Sequence, residues 1–177
     1  MIIGIPKEIL HGESRVSATP ETVKKMVQDG HQVLVEVNAG ENAFYHDNDY
    51  QAAGATMLSC PKDIFQKADI ILKVKEPQYN ENLKEHEIDW MREGQTLITF
   101  LHPAAPNNHE MIKRLTAKGV KALTLDGIPR ISRAQSMDAL SSMSTCAGYK
   151  GILIAADSLG KFIPMIGSAV GMIRSEE

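Results

Sequence analysis

Several things are scarce in this chain, and each scarcity removes a class of protein. Cysteine occurs twice in 177 residues, at Cys60 and Cys146, in neither a C-x-x-C nor a Cys/His pattern with metal spacing. A disulfide framework and a zinc site therefore have no support, and the two read as reduced thiols of a cytosolic protein. The six histidines are scattered and form no metal pattern. No apolar run approaches the ~18 residues of a membrane span. The opening MIIGIPKEIL lacks the basic flank and small-residue cleavage site of a secretory signal. Net charge is −3 with no basic run, so nucleic acid is not an expected partner, because phosphate neutralisation needs clustered Lys and Arg. No G-x-G-x-x-G occurs, so no dinucleotide fingerprint is present.

What is present is the composition of a folded domain: 43% apolar and 23% charged residues, with a length that suits one domain or one domain plus part of another. Trp90 and the nine methionines read as core. One unit recurs: helix, glycine, strand. It appears at VKKMVQDGHQVLVEV, YQAAGATML and IKRLTAKGVKALTL, with Gly30, Gly54 and Gly119 at the helix ends. Thr19-Pro20-Glu21 marks a helix start, Asn107 with Glu110 reads as a capping box, and Asp47 is placed to cap a short helix over 49–53. The strands IIGI, QVLVEV, ATML, DIILKV, TLITFL and KALTL are short and several are continuously apolar, as strands covered on both faces are. Strands alternating with helices predict an α/β fold: a doubly wound, mostly parallel sheet of flavodoxin-like or Rossmann-like type. Residues 136–159 hold no proline and read as one long C-terminal helix with a small-residue face and a break near Gly148 or Gly151. The expected division is an α/β domain over 1–135, a long connecting helix over 136–160 and a linker over 161–177.

Three places carry candidate chemistry. In DGIPRISRAQSMDALSS, Ser132 and Gln135 fit an S-x-x-Q helix cap, with Arg130 and Asp138 as a surface ion pair. The same residues suit a ligand clamp: Arg130 offers a fork of donors, Gln135 reads a hydroxyl, Asp138 orients the arginine and Ser141 lies one turn on. Near the N-terminus, Arg15 follows the GIPKE turn, while Lys73 and Lys75 end the strand DIILKVKEP; ligands of open α/β sheets sit beyond the carboxyl ends of strands. His102, in FLHPAA, also follows a strand and is a candidate acid or base.

GIPKE, SRVSATP, GHQVLVE and DIILKVKEP together resemble the N-terminal half of the alanine dehydrogenase and pyridine nucleotide transhydrogenase family. The stretch PRISRAQSMDALSSMSTCAGYKGI is similar to the transhydrogenase alpha subunits in particular. The resemblance implies the NAD(H)-binding component of a proton-translocating NAD(P)+ transhydrogenase, which passes hydride between NAD(H) and NADP(H). It implies a cytoplasmic, homodimeric protein, peripheral to the inner membrane, whose partners are an NADP-binding subunit and a membrane subunit. It also implies a second, NAD-binding domain beyond this chain, without which the chain is expected to be inactive. By the same resemblance Arg130, Gln135 and Asp138, with Ser141 beside them, close over the nicotinamide end of the cofactor. Two alternatives stand beside this. An alanine dehydrogenase-like fragment would use His102 as the catalytic group and Arg15 and Lys75 for the substrate. A non-catalytic module would serve dimerisation or partner binding. On any of these readings the isolated domain is expected to expose an apolar face around 162–173 and to self-associate.

Overall fold

The recurring helix, glycine, strand unit builds a parallel sheet. The computed structural model describes residues 1–160 and, beyond them, two strands at 166–168 and 171–173. In chain order the first elements are β1 (Ile2–Ile5), α1 (Pro20–Gln28), β2 (Gln32–Glu36), α2 (Asp47–Ala52), β3 (Thr56–Leu58), α3 (Pro61–Lys67) and β4 (Ile70–Leu72). A two-residue antiparallel pair follows, β5 (Tyr79–Asn80) with β6 (Glu85–His86), then α4 (Glu87–Trp90) and β7 (Thr96–Thr99). After them come α5 (His109–Ala117), β8 (Lys121–Thr124), α6 (Ala139–Asp157), β9 (Ile166–Ser168) and β10 (Gly171–Ile173). The sheet order is β3-β2-β1-β4-β7-β8 and every pairing is parallel, so the predicted doubly wound α/β sheet is the observed one. The chain divides into two compact units, Met1–Ile128 and Pro129–Glu177.

Local signals explain most of the element ends. Thr19 accepts from the Thr22 amide at the start of α1, and Pro20 occupies the first helical position. Gly30, Gly54 and Gly119 take φ of 84°, 95° and 68°, the left-handed turn that releases each helix into its strand. Other expectations are corrected. α2 begins at Asp47 itself, whose carboxylate accepts from Asn38 N, while Asp49 accepts from His46 N. Pro106 opens a tight 3-10 turn before α5, so Asn107 caps nothing, and Asn108 donates instead to the Leu101 carbonyl. The long helix starts at Ala139 rather than near 136, and neither Gly148 nor Gly151 breaks it. The expected linker over 161–177 lies outside the described residues apart from the β9–β10 pair.

Two apolar cores lie on opposite faces of the sheet. Ile71 packs with Ile64, Phe65, Ile88, Trp90, Leu97 and Leu115; its neighbour Leu72 packs with Ile5, Val23, Val33, Val35 and Tyr50. Successive strand residues point to opposite faces, which separates the two groups. Coverage is least at the edge strand β8, where Lys121, Ala122 and Leu123 are exposed. Gly4 sits where α3 crosses β1. A Cβ there would lie 2.6 Å from Ile64 Cγ2 and 2.9 Å from both Ala68 Cβ and Ile71 Cδ1.

Two glycine substitutions should therefore have opposite signs in urea unfolding. Gly4→Ala overpacks the α3 contact and should cost about 1–3 kcal/mol. Gly148→Ala, in α6 with nothing within 4 Å of the added carbon, should stabilise by about 0.5–1 kcal/mol.

Candidate functional site

Register places a polar row at the carboxyl end of one face of the sheet. Glu36, Lys73 and Thr99 each lie two residues beyond a buried position, on the side that holds Ile71 and Leu97, and Thr124 pairs beside Thr99 at the edge strand. Lys73 continues the β4 ladder by donating to the Ile98 carbonyl. Its side chain has 0% exposure, and its Nζ lies 3.1 Å from Glu87 Oε1 and 3.2 Å from Glu8 Oε2. Lys73, placed by the sequence at the end of the strand with Lys75, is not available to a ligand: its charge is consumed inside the fold. Burial opposes that charge, but Glu87 and Glu8 outweigh it and raise the Lys73 pKa. Burial raises the Glu87 and Glu36 carboxyls against the pull of Lys73. Nothing in the local sequence marks Glu8 or Glu87 as partners of Lys73.

Arg15 is drawn to a carboxylate that sequence reasoning missed. Arg15 grips Glu13 through Nε at 2.8 Å and Nη2 at 2.6 Å, and Glu13 also accepts from the Arg15 amide. The hydrogen bond from Arg15 is the main cause of the lowered Glu13 pKa, and Lys75 adds to it. The guanidinium is 44% exposed while Glu13 is nearly buried, so Glu13 orients the arginine from beneath.

His102 is held more tightly than its loop position suggests. Its Nδ1 lies 2.8 Å from Asp126 Oδ1. The other oxygen of Asp126 accepts from His102 N at 2.8 Å, Leu101 N at 3.1 Å and the Thr124 hydroxyl at 2.5 Å. These bonds hold His102 at φ +46°, a left-handed conformation uncommon outside glycine. Burial opposes the Asp126 charge, but the Thr124 hydroxyl and the amide and ring of His102 prevail and lower its pKa. The imidazole opens on a cavity of about 580 Å³ lined also by Pro103, Ala104, Ala105 and Gly127. Asp126 was legible only as a polar residue just past a strand.

In the second unit, Arg130 and Gln135 are exposed and Asp138 is buried at 6% exposure. Ser132–Met137 is a 3-10 turn with no side-chain cap, so the expected Ser132–Gln135 cap is replaced. Asp138 caps α6 instead, accepting from Ser141 N at 3.1 Å and from Ser141 Oγ at 2.6 Å. An S-x-x-Q pattern and a D-x-x-S pattern lie six residues apart, and the aspartate is the stronger cap because it satisfies both donors with a charge. Ser141 lowers the Asp138 pKa, and Arg130 contributes to the same shift. No ion pair joins Arg130 and Asp138 among the described residues, which corrects that reading.

A depressed carboxyl stabilises the fold fully above its unfolded pKa and loses that contribution as pH falls through the folded pKa. The stability difference between the wild type and Asp138→Ala should therefore be complete above the ordinary aspartate pKa of about 3.9 and vanish well below it. Urea midpoints across pH test this.

The profile "Alanine dehydrogenase/PNT, N-terminal domain" matches residues 4–147. The NAD(P) transhydrogenase subunit alpha of Cereibacter sphaeroides is 39% identical over 173 residues, covering 98% of this chain and 32% of that protein. The alanine dehydrogenase of Bacillus subtilis strain 168 is 37% identical over 161 residues, covering 91% of this chain and 39% of its own. The crystal structure of transhydrogenase from Sinorhizobium meliloti superposes with a TM-score of 0.81 at 35% identity, over 98% of this chain and 49% of that one. The chain thus spans between about a third and a half of the length of these relatives. On the extent of these matches, the chain belongs to the alanine dehydrogenase/PNT family, whose N-terminal domain it carries.

Proposed function

We propose that this chain is the first domain of the NAD(H)-binding component of a Re/Si-specific, proton-translocating NAD(P)+ transhydrogenase. The observation that carries the reading is the entrance to α6. Arg130 and Gln135 are exposed donors there, and Asp138 fixes the backbone behind them through Ser141. Transhydrogenase subunits match 98% of the chain, through this segment, which supports the same reading. Hydride transfer between NAD(H) and NADP(H) is supplied by the cofactors; the protein orients them.

The residues fit the carboxamide end of a nicotinamide in a restricted way. Arg130 and Gln135 are available as hydrogen-bonding groups, whereas both oxygens of Asp138 are already engaged by Ser141. Asp138 acts as the helix cap that keeps the other two in place, and a stiff backbone loses little entropy on binding. With no dinucleotide fingerprint in the chain, the remaining contacts to NAD(H) fall to a second domain, so the chain alone is inactive. That domain, an NADP(H)-binding subunit and a membrane subunit complete the proposed complex, cytoplasmic and peripheral at this end. The proposed boundaries are 1–135, 136–160 and 161–177. No described residue of α6 is buried, and Tyr149, Ile152 and Ile154 are exposed, which supports assembly, including the proposed homodimer.

A second reading, an alanine dehydrogenase-like fragment, is favoured by His102 on Asp126 beside an open cavity, with Arg15 and Lys75 at strand ends. There His102 would exchange a proton with a substrate and the two cations would hold its polar groups.

Titration with NADH, followed by its fluorescence, separates these. The chain alone should show no saturable binding. Mixed with the second domain of a transhydrogenase relative it should bind, and Arg130→Ala should weaken that binding about tenfold. Unchanged affinity in Arg130→Ala would remove the clamp from the proposal.

A further inference from the structure

The buried charges of the first unit also reach the loop that carries Lys75. Glu8 and Glu87 divide their oxygens in the same manner. Glu8 turns Oε2 to Lys73 Nζ at 3.2 Å, while Oε1 accepts from Val74 N at 2.6 Å and Lys75 N at 3.4 Å. Glu87 turns Oε1 to the same Nζ at 3.1 Å, while Oε2 accepts from Gln78 N at 2.7 Å. The Glu87 amide donates back to the Gln78 carbonyl at 3.0 Å. Both ends of the segment from Val74 to Gln78 are thus tied to buried carboxylates, and Lys75 lies between the ties. Hydrogen bonds from amides to ionised acceptors are stronger than neutral ones, and they stay strong only while the acceptor keeps its charge. The lysine between the two carboxylates provides the balancing charge in an interior that would otherwise neutralise them.

We infer that Glu8 and Glu87 are positioning residues for Lys75. They hold the backbone of Val74–Gln78 from which the Lys75 side chain projects, and Lys73 is the counterion that both carboxylates share. All of these residues lie in Met1–Ile128, so the inference does not rest on the transhydrogenase reading. Adjacent loops follow the same rule, because Glu36 accepts from Lys7 N at 2.8 Å on the segment after β1.

Competitive labelling with trace acetic anhydride, read lysine by lysine by mass spectrometry, tests this. The exposed Lys24 and Lys121 are internal standards. In Glu8→Ala the relative rate at Lys75 should change by about threefold or more, since a loop held by strong bonds becomes free to move. Glu8→Gln, which keeps a neutral acceptor for Val74 N but not the charge that meets Lys73, should return only part of that change. A purely structural role would lower the melting temperature in both variants and leave the relative Lys75 rate at the wild-type value, and that result overturns the proposal. Should Glu8→Ala fail to fold, amide exchange in the unaltered chain decides. Val74 and Gln78 should exchange as slowly as Ile71 in β4. Exchange as fast as the exposed His11 overturns the proposal.

Discussion

One buried ammonium governs the carboxyl end of the first unit. Lys73 has no exposed side-chain surface and meets two carboxylates, with Glu36 near enough to feel both Lys73 and Glu87. Moving an ion out of water costs several kcal/mol even after relaxation, and a pair recovers this only with further hydrogen bonds. Here the further bonds exist: each carboxylate accepts from at least one backbone amide. Burial is the main cause that lifts Glu87 and Glu36, neighbouring carboxylates add to it, and Glu87 and Glu8 hold Lys73 charged against its own burial. A carboxyl raised in this way favours folding below its unfolded pKa, and the contribution is lost as pH rises through the folded value.

The same device recurs wherever the chain leaves the sheet. Asp126 takes amides from Leu101 and His102 and places the imidazole at the mouth of a cavity. In the second unit Asp138 takes the Ser141 amide and starts α6. Acidic side chains fix the backbone, and the groups left facing outward are Arg15, His102, Arg130 and Gln135. That division suits ligand recognition, because the outward groups need little reordering when a partner arrives.

Much of the fold was legible because its signals are local. A helix stripe, a glycine and a short apolar strand within twenty residues need no distant information; they mark β2, β3 and β8, and short apolar runs mark the other three sheet strands. The family was legible too, since its motifs are contiguous and the profile covers residues 4–147. The fate of Lys73 was not. It looks like any lysine at a strand end, and its partners stand 65 residues before it and 14 after. Glu13 was not legible either, because nothing in its sequence position marks it as the carboxylate that holds the Arg15 guanidinium. At 132–141 two capping patterns overlap, and the aspartate prevails because its carboxylate takes both the amide and the hydroxyl of Ser141. The two-stranded pair at Tyr79 and His86 is too short to leave a period in the sequence.

The most direct test is a carbon-detected NMR titration of the glutamate carboxyls in the intact chain. Glu87 and Glu36 should titrate above the ordinary glutamate pKa of about 4.3, as burial with a single counterion requires. Titration of both at or below that value would mean that the carboxyl end of the sheet is solvated rather than sealed, and would contradict the account.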